Sequence, residues 1–196
     1  TPQKAKFWSG RVKAMHHGYS KHNHTLFFRG HNPDTAWHSW VKFDLSNIPD
    51  SSTIDSASFW YRTTSVVPKE SPPWTFVRLV TIDPVPAEPG SLWRELTTGL
   101  IVAPAMQHGK GWLERPLNDT GLVALRDALE QDWMALALHK FDTVVHRKGV
   151  AHGYASAGNR PYIEIHYTPP GPDVGVEENQ SPTLWAEPNT NVTPKA

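Results

Sequence analysis

The stretch Trp37-His38-Ser39-Trp40-Val41-Lys42-Phe43-Asp44 decides the fold. Successive side chains of a strand point to opposite faces. Ser39, Val41 and Phe43 therefore share one face, while His38, Trp40, Lys42 and Asp44 share the other. The alternation returns from Ile54 to Val66, with Ala57, Phe59 and Tyr61 against Ser58, Trp60 and Arg62. It closes from Pro161 to Thr168, where Ile163, Ile165 and Tyr167 oppose Tyr162, Glu164 and His166. Three segments with one apolar side each call for a shared interior, the signature of half-buried antiparallel strands. Leu45 to Ser52 carries Asn47, Pro49, Asp50, Ser51 and Ser52 and reads as a turn. Its moderate length predicts that the strands on either side are antiparallel neighbours.

Working outward, Ala5 to Met15 reads as an edge strand and His16 to His24 as a polar loop. Thr25 to Arg29 is a short strand, closed by a turn from Gly30 to Asp34. Thr75 to Ile82 is a strand fenced by Pro72-Pro73 and Pro84, and Asp83 to Gly90 must be irregular. Leu92 to Leu96 and Gly99 to Ala103 are weaker strand candidates. The one expected helix spans Asp119 to Glu130, with Leu122, Val123, Leu125, Ala128 and Leu129 at helical spacing and Asp119 or Thr120 as cap. Trp133 to Leu138 is apolar on both faces, hence a fully buried strand. Thr143 to Val145 and Tyr154 to Ser156 are short candidates.

These elements make an all-β fold, an antiparallel jelly-roll β-sandwich with one short helix. Eighteen prolines and 13 glycines suit its many turns, and nine tryptophans suit a large aromatic core or a stacking surface. After Thr168, Pro169-Pro170-Gly171-Pro172-Asp173 cannot continue a strand. The chain thus divides into a sandwich domain over 1–168 and an extended Pro-rich tail over 169–196. The tail's main apolar residues are Val174, Val176, Leu184 and Trp185.

A chain of 196 residues can bury a continuous core without disulfide or metal staples. Its 19 basic residues balance its 19 acidic ones, which argues against nucleic acid as a partner. There is no cysteine, and no apolar run approaches the length of a membrane span. The chain opens at Thr1 without a signal peptide, as a processed secreted protein or a trimmed one would.

Two segments resemble the DNRLRE-type family of extracellular jelly-roll domains, and a third is similar to it more weakly. Trp40-Val41-Lys42-Phe43-Asp44-Leu45-Ser46-Asn47-Ile48-Pro49, with Ile54-Asp55-Ser56-Ala57-Ser58-Phe59-Trp60-Tyr61, is similar to that family's KFDLSSIP…ITSATLxLY segment. Gly153-Tyr154-Ala155-Ser156, with Asn159-Arg160-Pro161-Tyr162-Ile163-Glu164-Ile165-His166-Tyr167, resembles its closing strand. Leu117-Asn118-Asp119-Thr120 is the weaker match, before the helix. The resemblance implies secretion, a jelly roll, and carbohydrate binding beside polysaccharide-active enzymes or in surface proteins. In the tail, Val176-Glu177-Glu178-Asn179 and Leu184-Trp185-Ala186-Glu187-Pro188-Asn189 resemble the junction before a type IX secretion sorting domain.

Candidate chemistry begins with aromatic stacking, because sugars offer flat C–H faces to tryptophan rings. If Val41, Phe43, Phe59 and Tyr61 fill the core, Trp40, Trp60 and Tyr162 project outward. Lys42, Arg62, Glu164 and His166 stand beside them as hydrogen-bonding groups. These seven residues are the expected carbohydrate patch, on a non-catalytic module that binds polysaccharide or the cell surface. The alternative is a structural subunit of an extracellular filament, sheath or surface layer. Its tail would dock on a neighbouring subunit through Val174, Val176, Leu184 and Trp185.

No catalytic set stands out. There is no G-x-S-x-G elbow, and a Tyr154, His152 and Arg160 trio is of a kind that arises by chance. The N-terminal histidines match no metal-site spacing. No cofactor is expected, a structural calcium on loop oxygens of Asp34, Asp50 or Asp55 being the alternative left open.

Overall fold

Alternating strands become a sandwich when their apolar sides meet, and the computed structural model shows that arrangement. It describes residues 3–4, 8–15, 18–23, 25–29, 36–69, 73–140, 147–153, 156 and 158–171. In chain order, the first strands are β1 (Gln3–Lys4), β2 (Trp8–Met15), β3 (Gly18–Asn23), β4 (Thr25–Arg29), β5 (Trp37–Asp44), β6 (Thr53–Val67) and β7 (Trp74–Val80). Helix α1 (Pro89–Thr98) precedes β8 (Ile101–Gln107) and β9 (Gly111–Pro116). Helix α2 (Asp119–Asp127) runs into a 3-10 turn at Ala128–Gln131, then come β10 (Trp133–Lys140), β11 (Lys148–His152) and β12 (Tyr162–Thr168). The protein is an all-β antiparallel sandwich.

One layer runs β3-β2-β5-β10-β7-β8. The other is built on β6, which pairs with β9 on one edge and with β12 and then β11 on the other. β1 extends it beyond β12, and β4 links β11 to β5. Phe43 of β5 and Phe59 of β6 meet edge to face across the interior at 5.7 Å. Around them lie Val41, Tyr61, Val77, Leu136, Leu138 and Ile163, all buried. Each such side chain contributes about 1.5–3 kcal/mol on burial.

β10 is apolar on both faces, as expected, because both are covered. Met134, Leu136 and Leu138 enter the main core, while Ala135 and Ala137 lie in a second cluster with Val12, Trp40, Val80, Leu92 and Leu96. Leu92 and Leu96 come from α1, so this helix lies across the outer face of the first layer. The small alanines of β10 let it approach closely. Where α1 ends, Gly99 passes so near β7 that a Cβ on it would stand 2.1 Å from the Leu79 carbonyl oxygen.

α2 packs on β8 and β6. Its cap is Asn118, one residue before the expected pair: the side-chain oxygen accepts the Gly121 N–H at 2.9 Å. Gly121 itself is forced by contact, since a Cβ there would lie 2.6 Å from the Val102 carbonyl oxygen.

Four expectations need correction. Leu92 to Leu96 is helical, so two helices are present among the described residues; the i, i+4 pair Leu92 and Leu96 forms the buried stripe. Gly18 to Asn23, read as loop, pairs with β2, so β2 is an inner strand. β5 and β6 are not hydrogen-bonded neighbours; the turn between them carries the chain from one layer to the other, so they face each other instead. β9 was not foreseen at all. The candidates Thr143 to Val145 and most of Tyr154 to Ser156 lie outside the described residues, as does the chain from 172 onward.

Candidate functional site

Strand alternation puts every second residue of β6, β9 and β12 on the outward face of the second layer. The inward residues Ala57, Phe59, Tyr61, Arg115 and Ile163 are buried. The outward ones are Ser58, Trp60 and Arg62 of β6, Trp112 and Glu114 of β9, and Tyr162, Glu164 and His166 of β12. Register aligns them: Trp60 stands between Glu114 on one side and Tyr162 on the other, and Arg62 is opposite Trp112.

Trp60 and Tyr162 stack with centroids 6.0 Å apart and planes within 10°. Trp112 leans over from β9 to meet Tyr162 at 5.6 Å, its plane tilted by 58°. The result is two near-parallel rings with a third tilted against Tyr162, and Trp112 keeps 40% of its surface exposed. Such offset and tilted pairs are the favoured aromatic geometries.

Polar groups are fixed around these rings. Trp60 Nε1 donates to Glu164 Oε2 at 3.0 Å, which holds the indole in place. His166 Nε2 lies 3.7 Å from Glu164 Oε1. Ser58 Oγ donates to Glu114 Oε1 at 2.8 Å. Arg62 Nη1 donates to Asn159 Oδ1. Burial raises the Tyr162 phenol above its ordinary pKa, and the charges of Glu164 and Glu114 raise it further.

Beneath the face, a buried polar network anchors β9. Arg115 donates from Nε to Tyr61 Oη at 3.2 Å and from Nη2 to the Thr75 carbonyl at 3.0 Å, so it ties β9 and β6 to β7 in the opposite layer. His108 sits 3.1 Å from Tyr61 Oη through Nδ1 and 2.8 Å from Thr63 Oγ1 through Nε2. A neutral imidazole, with one donor and one acceptor, satisfies both bonds. Burial, with the Arg115 charge adding to it, pushes the His108 pKa down to about 3.

Of the seven residues expected in one patch, five come together: Trp60, Arg62, Tyr162, Glu164 and His166. Trp40 and Lys42 do not. They lie on the other layer, under and beside α1. Trp40 is 2% exposed in the second core cluster. Lys42 is half-buried, with Nζ 2.6 Å from Asp83 Oδ2 and 4.6 Å from the centre of the Trp133 ring. The physical reason is that alternation assigns a face but not what covers it. Trp112, Glu114 and Ser58 were missed, although Trp112 and Glu114 alternate with Leu113 and Arg115 as strand residues should.

The remaining candidates separate. Val174, Val176, Leu184 and Trp185 lie outside the described residues, as do Asp34 and Tyr154. Asp50 is exposed in the β5–β6 turn, and Asp55 accepts from Thr168 Oγ1 at 3.2 Å. His152 Nδ1 is 2.9 Å from Ser156 Oγ. Among the described residues, no group of three or more His, Asp or Glu is arranged to hold a metal ion. No described helix is long and apolar enough to cross a membrane. No protein-family model matches the chain, and no curated protein matches it in sequence.

Proposed function

We propose that this chain is a non-catalytic extracellular module that binds polysaccharide on the outward face of β6, β9 and β12. The observation that carries the reading is the accessible aromatic platform: Trp112 is substantially exposed and tilts against Tyr162, which stacks on a Trp60 held by its hydrogen bond to Glu164. Rigid rings lose little entropy on meeting a sugar, and the flanking Glu114, Glu164, Arg62 and Ser58 supply donors and acceptors for hydroxyls. The resemblance to DNRLRE-type domains supports the same reading, including placement outside the cell. Hydrolysis would need carboxylates desolvated in a cleft. Glu114 instead is exposed on an open sheet face. The structural-subunit alternative draws on Val174, Val176, Leu184 and Trp185, which lie outside the described residues.

Affinity electrophoresis against a panel of soluble polysaccharides, with a glycan array beside it, tests the reading. The wild-type chain is expected to be retarded by at least one polymer. Trp112→Ala and Tyr162→Ala should each weaken that binding by about tenfold or more, the loss of one or two aromatic contacts. Binding to no glycan, or unchanged binding by both variants, would remove the proposal.

A further inference from the structure

We infer that the ligand is a single soluble polysaccharide chain, met sugar by sugar, and not the flat face of a crystalline polymer. This rests on the glycan-binding reading above and adds the physical form of the polymer that the face of β6, β9 and β12 takes.

Ring planes separate the two forms. A crystalline polysaccharide presents its sugars in one plane, so holding it by stacking takes aromatic faces that lie side by side in a parallel plane. The three rings here share no plane. Trp60 and Tyr162 are parallel within 10°, with centroids 6.0 Å apart. Coplanar rings would collide at that separation, so the two stack and each turns part of a face toward the other. Trp112 meets Tyr162 at 5.6 Å with its plane turned by 58°. A flat surface resting on the Trp112 indole therefore meets neither of the other rings face on. A single chain turns from one sugar to the next and can follow rings set at an angle.

The polar groups favour the same form. Glu114 is exposed two residues from Trp112 on β9, and Arg62 is exposed directly opposite Trp112 on β6. Glu114 Oε1 accepts from Ser58 and Glu164 Oε2 from the Trp60 indole, and each carboxylate has further acceptor positions. In a crystal most hydroxyls are engaged by neighbouring chains, so these acceptors would lose water against it and gain little. A lone chain carries its hydroxyls free to meet them. Charge does not choose the polymer. Glu114 and Glu164 share the face with Arg62, and Lys4 occupies the register position beside Tyr162.

Depletion and titration with the whole chain test the inference. Microcrystalline cellulose and crystalline chitin are the flat probes, with cellohexaose and chitohexaose as their soluble counterparts. Calorimetry uses these hexamers and the soluble polymer that most retards the protein in affinity electrophoresis. A soluble chain should bind, and each crystal should remove no more protein than an inert bead, or release it to its own hexamer. Glu114→Ala should weaken soluble binding by about threefold or more and Trp112→Ala by about tenfold or more. Depletion by a crystal that its hexamer does not reverse overturns the inference and leaves glycan binding standing. Unchanged binding by Glu114→Ala also overturns it, because the hydroxyl contacts would then be idle. Failure of every polymer, soluble and crystalline, removes both readings.

Discussion

Trp40 with Lys42 and Trp60 with Arg62 are nearly the same motif placed on two layers of one sandwich. In each, a tryptophan and a basic residue alternate with core residues, Val41 and Phe43 in one and Phe59 and Tyr61 in the other. Their fates differ. Leu92 and Leu96 of α1 close over Trp40, and Asp83, in the segment leading to that helix, takes the Lys42 ammonium. No helix lies over Trp60 among the described residues; its neighbours are Tyr162, Glu164 and Glu114. The same pair of residue types is core in one layer and surface in the other. What covers a face, and not the face's own sequence, sets its role.

The largest test of this contrast is Trp40→Ala against Trp60→Ala. The first empties a buried site and should cost about 3–5 kcal/mol, read from denaturant midpoints. The second removes a half-buried ring and should cost about 1–2 kcal/mol. Equal losses would break the comparison. Next is Gly99→Ala, which drives a methyl against the Leu79 carbonyl where α1 meets β7 and should cost about 3 kcal/mol in a thermal melt.

Acid should act from beneath the open face. The folded pKa of His108 is about 3, below its unfolded value, so the folded state takes up this proton later than the unfolded chain does. Its contribution to stability is complete above about pH 6.5 and declines as pH falls, by about 1.4 kcal/mol per unit, until about pH 3. His108→Gln should flatten that part of the pH-stability curve; an unchanged slope would show that other groups set it. Lys42→Met should cost about 1 kcal/mol or less, because its partner Asp83 is partly solvated. Smallest of all, Trp112→Ala should change stability by less than about 0.5 kcal/mol, separating binding from folding.

The core was legible because periodicity alone encodes it. Val41, Phe43, Ala57, Phe59, Tyr61 and Ile163 were all expected inward and all are buried. The helix at Asp119 announced itself through spacing, while its cap is Asn118 and not the expected Asp119 or Thr120. α1 had a signal that went unread: Pro89 at its first turn and Gly99 just past its end, the usual asymmetry of helix termini. β9 was harder. Its inward Arg115 is charged, and a charge reads as solvent-facing until Tyr61 and Thr75 are brought to meet it. The sequence analysis assigns no strand to Gly111–Pro116, so Trp112 and Glu114 go unplaced with it.

Sequence by itself determined the strand class, the inward residues and the outward direction of Trp60, Arg62, Tyr162, Glu164 and His166, because side-chain direction in a strand is a local, two-residue property. Only the tertiary structure decided that Trp40 is interior, that β9 brings Trp112 and Glu114 beside Tyr162, and that Arg115 finds its partners in the opposite layer. Those outcomes depend on which distant segments cross which sheet, a long-range contact energy that no local periodicity carries.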